Sequence, residues 1–140
     1  MRIKTVVYHA TRRAFSGKFD EKKIGSGNDV GYSGRGFYFF PNIEDGKFAV
    51  PGNGFVKPFE INLTKAYHLT NRDDPFSVET DLSDEEMRDQ TTLDLLNQGY
   101  DGSIRYLNGK IEEICVFSYR RHGFDGNKKI KETGQDWIKI

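Results

Sequence analysis

Apolar residues gather in several short β-branched or aromatic stretches, one of them alternating with polar residues, and glycine-rich turns separate them. Ile3 to His9 is β-branched and aromatic, Gly36 to Phe40 reads GFYFF, Phe55 to Leu63 alternates around Pro58, and Glu113 to Tyr119 reads EICVFSY. Each predicts a strand. Turns are expected at Gly25-Ser26-Gly27-Asn28, Gly31 to Gly36, Gly52-Asn53-Gly54 and Asn108-Gly109. One stretch reads as a well-marked helix. Ser83 is a suitable N-cap and Glu86 completes a capping box; Met87, Leu93, Leu95 and Leu96 supply an apolar side, and Gly99 stops it. A shorter helix is expected over Asn42 to Ala49, opened by Pro41-Asn42 and ending on Phe48 and Ala49. The pattern is α+β, with an antiparallel sheet pair and one or two short helices.

Composition changes this picture little. A chain of 140 residues has room for one modest core, so residues 1–140 read as a single domain. Eleven Phe and seven Tyr are expected to carry much of that core. Charge adds more. Twenty-one basic residues balance 21 acidic ones, which excludes the strongly basic signature of a nucleic-acid-packaging domain. The balance is uneven along the chain. Residues 1–35 hold eight Lys or Arg against three acids, residues 71–94 hold nine acids against Arg72 and Arg88, and Arg120 to Lys131 is basic again. An anionic ligand is therefore expected at the first third. The single cysteine, Cys115, can form neither an internal disulfide nor a Cys-rich zinc site, so a cytoplasmic location is expected. No stretch approaches the ~20 apolar residues of a membrane-spanning helix, so no membrane partner is expected.

Three constellations could carry chemistry. Tyr8-His9-Ala10-Thr11 closes the first strand, where an imidazole can bond a ligand hydroxyl while backbone N–H and C=O groups reach an amide. The same histidine could equally be a satisfied structural residue. Gly34-Arg35-Gly36-Phe37-Tyr38-Phe39-Phe40 sets four aromatics after a glycine turn, either as plain core or as a platform for a flat cationic heterocycle. Glu112-Glu113 enters the strand ICVFSY. Alternation sends Ile111, Glu113, Cys115 and Phe117 to one face and Glu112, Ile114, Val116 and Ser118 to the other. Only one of the two carboxylates can share a cleft, and alternation leaves open which.

The order YHAT, GRGFYFF, GYDG (Gly99 to Gly102), EICVF resembles the ADP-ribosyltransferase superfamily, in its His-Tyr-Glu class of diphtheria-type toxins and poly(ADP-ribose) polymerases. It is most similar to small ADP-ribosyltransferase-like domains of phage and mobile-element polyvalent proteins. The resemblance runs over residues 6–119 and leaves residues 120–140 without a role. It implies a split pair of small antiparallel sheets with NAD pinched between them, and no metal. His9 would bond the NAD ribose, the Ala10 backbone would hold the nicotinamide amide, and Thr11 would lie near the adenine-side ribose. Tyr38 would stack on nicotinamide with Phe48 as second wall, and Glu113 rather than Glu112 would be the catalytic carboxylate. Arg12 and Arg35, with Gly36 beside them, are expected near the pyrophosphate.

The implied activity is mono-ADP-ribosyl transfer from NAD to a protein or nucleic-acid acceptor. A toxin or mobile-element effector with an inhibitor or antitoxin partner is the corresponding biological expectation. Breaking the nicotinamide–ribose bond develops positive charge at the anomeric carbon, which a carboxylate bonded to the neighbouring hydroxyl stabilises. The alternatives are NAD hydrolysis and a catalytically silent binding module of the same fold.

Overall fold

The computed structural model describes residues 2–24, 32–78 and 80–140, and the turn expected at residues 25–28 lies outside them. Among the described residues there are eight strands and two α-helices, an α+β arrangement. No helix among them is long and apolar enough to cross a membrane.

Two four-stranded sheets form the frame. In the first, β3 (Phe55–Leu63) lies between β1 (Ile3–Thr11) on one side and β7 (Ile130–Glu132) and β8 (Ile138–Lys139) on the other, all antiparallel. In the second, the order is β2 (Gly36–Phe39), β6 (Lys110–Phe117), β5 (Gly102–Leu107), β4 (Ala66–Leu69). Pro58 is tolerated in a central strand for a geometric reason. It pairs with Tyr8 on one side, and on the other it falls between the residues of β3 that pair with β7 and those that pair with β8. Its missing N–H therefore interrupts neither short ladder. The residues after Tyr119, which the sequence left without a role, thus complete the first sheet. They also clasp residues 15–19: the Asn127 amide bonds both backbone groups of Phe19, and Trp137 Nε1 donates to the Phe15 carbonyl at 2.8 Å.

One pairing departs from the antiparallel expectation. β4 runs parallel to β5, so the chain must cross over between them, and α2 (Asp84–Asn97) is that crossover. Its N-terminus is the expected capping box: Ser83 Oγ accepts from the Glu86 N–H at 3.1 Å and donates to Glu86 Oε1 at 2.9 Å. Of its expected apolar side, Leu95 and Leu96 are buried and Leu93 packs beside them, whereas at the Met87 end Arg88 and Thr92 are buried instead, because that end faces an ion cluster rather than core. The shorter α1 (Ile43–Ala49) is capped by Asn42, whose Oδ1 accepts from the Asp45 N–H, and packs Gly46 against Val56 and Tyr8 on the outer side of the first sheet.

Between the sheets lies a wholly apolar cluster: Val7, Phe59, Ile61 and Leu63 from the first sheet meet Phe37, Phe39, Ile104, Ile114 and Val116 from the second. Fully burying each Phe or Ile contributes about 1.5–3 kcal/mol. A second cluster covers the opposite face of the second sheet, where Tyr38, Cys115 and Phe117 pack under Leu95, Leu96 and Phe76. The sheets touch at one bridge, where Tyr8 and Phe40 exchange both backbone hydrogen bonds at 2.9 and 2.7 Å. The GYDG segment explains itself structurally. The Asp101 carboxylate accepts from the Thr64 and Lys65 N–H groups and from Lys129, and a Cβ on Gly102 would meet the Cys115 carbonyl at 2.6 Å.

Candidate functional site

The hairpin between β5 and β6 decides which glutamate faces the site. Asn108 and Gly109 both have positive φ (52° and 78°), the signature of a type I′ turn that puts Leu107 opposite Lys110 and Tyr106 opposite Ile111. The register then shifts between Arg105 and Tyr106, so that Arg105 faces Glu113 rather than Glu112. Glu112 is the extra residue and is exposed; Glu113 is half-buried. From Glu113 onward alternation holds, which sets Glu113, Cys115 and Phe117 on one face with Tyr38, the register partner of Cys115. Ile111 departs from the expected pattern, because the bulge turns it to the face of Tyr106.

Tyr38 and Glu113 are joined through Ser33, one residue before the GRGFYFF segment and outside the candidate motifs. The Tyr38 hydroxyl donates to the Gly34 carbonyl at 2.7 Å and accepts from the Ser33 N–H at 3.0 Å. The Ser33 hydroxyl donates to Glu113 Oε1 at 2.7 Å. Arg105 stands beside them, paired with Asp74 at 2.9 Å. Ser33 had one weak signal, its place in a glycine-flanked turn. Arg105 had a clearer one, because it stands nearly opposite the Glu pair across an Asn-Gly hairpin.

His9 reaches this group through the backbone. Its Nδ1–H donates to the Tyr38 carbonyl at 2.7 Å, just where β1 and β2 meet. Its ring packs among Phe15, Phe19, Phe39, Phe59 and Trp137, on the inter-sheet side. Removal from water among these rings lowers the imidazole pKa from 6.5 to about 4, against the opposing pull of the hydrogen bond to Tyr38. The ring is therefore neutral near pH 7, with the proton on Nδ1 fixed by its acceptor and Nε2 left as an acceptor. Ala10 follows from the same ladder. Backbone groups alternate between the two sides of an antiparallel strand. Tyr8 turns both of its groups away from β3 toward Phe40, so Ala10 turns its N–H and C=O to that same edge, one pair beyond the bridge.

The remaining candidates are spread more widely. Thr11 bonds the Arg13 backbone, and Arg12 is exposed at the end of β1. Arg35, expected beside a pyrophosphate, is instead held inside the fold. Its guanidinium meets Glu21 at 3.1 Å and Asp89 at 3.4 Å, donates to the Ser118 carbonyl, and lies 4.3 Å from the Tyr119 ring centroid. Gly36 is required by packing, since a Cβ there would meet the Val116 carbonyl oxygen at 2.0 Å. Phe48 is 81% exposed on α1 and makes no ring contact with another described residue. Among the described residues no three His, Cys, Asp or Glu side chains gather as a metal site would require.

Comparison with known proteins gives no matching family model, no matching curated protein and no matching solved structure.

Proposed function

We propose that this protein is an NAD-dependent mono-ADP-ribosyltransferase in which Glu113 is the catalytic carboxylate. The observation that carries this reading is that Ser33 bonds both the Tyr38 hydroxyl and the Glu113 carboxylate on one face of the second sheet, while His9 holds the Tyr38 carbonyl from the inter-sheet side. The resemblance implies a split pair of small antiparallel sheets with NAD between them; the described residues form two sheets, one with a parallel pair, and apolar core fills the space between them. Within this proposal a neutral His9 supports Tyr38 from the inter-sheet side rather than meeting the ribose as the resemblance implies, and the outward N–H and C=O of Ala10 hold the nicotinamide amide. Glu113 bonds the ribose hydroxyl next to the anomeric carbon and stabilises the positive charge that develops as nicotinamide leaves. Arg35 has no part in it.

The acceptor is best read as a nucleic acid. Glu21 accepts from the Arg120 N–H at 2.9 Å, and Asn127 accepts from the Phe19 N–H at 2.8 Å. These contacts set exposed Lys18 and Lys22 beside exposed Arg120, Arg121 and Lys128, merging two basic stretches that lie a hundred residues apart in sequence. Such a face attracts phosphates. Incubation with label-bearing NAD in cell lysate, followed by nuclease or protease, is expected to leave a labelled product that nuclease destroys; label that survives nuclease and yields to protease contradicts the acceptor.

One observation favours a second reading, a silent binding module. Tyr38 is 9% exposed, and Ser33 and Gly34 occupy both hydrogen-bonding positions of its hydroxyl. Saturable NAD binding without nicotinamide release would select it.

A further inference from the structure

We propose that Ser33 is the positioning residue of this site: its hydroxyl links Arg105 to Glu113 and fixes that carboxylate on the face of Tyr38. The catalytic consequence rests on the proposed function, whereas the positioning itself does not. Ser33 is fully buried, and each of its polar atoms is engaged. Its N–H donates to the Tyr38 hydroxyl oxygen at 3.0 Å, and its carbonyl accepts from Ser103 Oγ. Its hydroxyl gives its proton to Glu113 Oε1 at 2.7 Å and accepts from Arg105 Nε at 3.0 Å.

The direct approach of Arg105 Nε to Glu113 Oε1 is 3.8 Å, beyond hydrogen-bond reach. The rest of the guanidinium is turned elsewhere: Nη1 pairs with Asp74 at 2.9 Å and Nη2 donates to the Tyr32 carbonyl. A bidentate Arg–Glu pair, the strong alternative for these two side chains, is thereby prevented. That matters for the chemistry. A carboxylate locked in a two-point ion pair is fixed by the arginine, whereas here the Ser33 hydroxyl stands between the two and sets the direction of Glu113 Oε1. The serine in turn is polarised by the arginine behind it. Because the same residue grips the Tyr38 hydroxyl, one small side chain sets the spacing between the proposed stacking ring and the proposed carboxylate.

The test compares wild type, Ser33→Ala and Ser33→Cys, the last conserving volume while offering only a weak donor. The first readout is the Glu113 side-chain carboxyl ¹³C resonance at neutral pH, identified by its loss in Glu113→Gln. Both Ser33 variants are expected to displace it; should Ser33→Ala not fold, Ser33→Cys carries the comparison. A resonance unmoved by the substitution overturns the proposal, whatever the activity. The second readout is nicotinamide release, where misplacement of the carboxylate is expected to lower kcat about 10²-fold with KM little changed. A variant with wild-type kcat overturns the catalytic consequence. A displaced resonance in a protein whose wild type releases no nicotinamide upholds the positioning and removes the proposed function.

Discussion

The two faces of the second sheet are made by the same strands, yet they have opposite characters. The inner face presents Phe37, Phe39, Ile104, Ile114 and Val116 to the first sheet, with its titratable groups, Tyr106 and His68, bonded to each other at 2.8 Å. One residue along in each strand, the outer face presents Tyr38, Ser103, Arg105 and Glu113, tied to one another through Ser33. The inner face gains from being dry, because apolar burial is proportional to the area removed from water. The outer face buries charge, which is tolerable only because each polar group has a partner. The outer face thus adds a polar network beside its own apolar cluster of Cys115, Phe117, Leu95 and Leu96, and a one-residue bulge at the edge of β6 decides which glutamate joins that network.

Substitutions on the two sides should therefore fail differently. The largest expected effect is on the inner face. Phe39→Ala removes a fully buried ring and should cost about 3–5 kcal/mol in urea unfolding; any loss of activity should follow the unfolded fraction. Next is acid. His9 packs at the margin of the inner layer with its pKa lowered to about 4, so the unfolded chain, titrating near 6.5, binds the extra proton first as pH falls. Stability from this residue is present above pH 6.5 and is lost down to about pH 4, a change of about 3 kcal/mol. His9→Gln should flatten that part of the stability–pH curve. A curve of unchanged slope would mean that the ring is not sequestered.

Smaller effects sharpen the contrast. Arg35→Ala breaks the contacts to Glu21, Asp89 and Ser118 and should cost about 1–3 kcal/mol by unfolding. NAD affinity of the folded protein should be unchanged, and a selective rise in Kd would return Arg35 to the pyrophosphate. Smallest is Glu112→Gln. As the exposed residue of the bulge, Glu112 should contribute less than about 0.5 kcal/mol, and the substitution should leave nicotinamide release at the wild-type rate.

How far the sequence spoke depended on whether the signal was local. The Ser83–Glu86 box and Gly99 bracket α2 because capping involves neighbouring residues, and β-branched and aromatic runs mark β1, β2, β3 and β6 because each buries apolar side chains. β5 carries no apolar run, since its GSIRYL stretch points Ser103 and Arg105 into a polar network rather than a core. β7 and β8 are three and two residues long at a sheet edge, too short to carry a pattern. The parallel pairing of β4 with β5 depends on a crossover through α2, which no local window contains. At the site, His9, Tyr38 and Glu113 were legible as types that do chemistry, whereas Ser33 matters through Tyr38, 5 residues away, and through Ser103, Arg105 and Glu113, 70 to 80 residues away. Charge alone misdirected Arg35, because its counter-ions Glu21 and Asp89 are distant in the chain.

The central claim is that the outer face carries an NAD-cleaving carboxylate, and nicotinamide release from NAD by wild type and by Glu113→Gln tests it most directly. Glutamine keeps the size of the side chain and an acceptor for Ser33 while removing the charge. Release by wild type that falls about 10²–10³-fold in the variant, with both proteins folded, is the predicted result. Equal release from the two, or none from folded wild type, would contradict the claim.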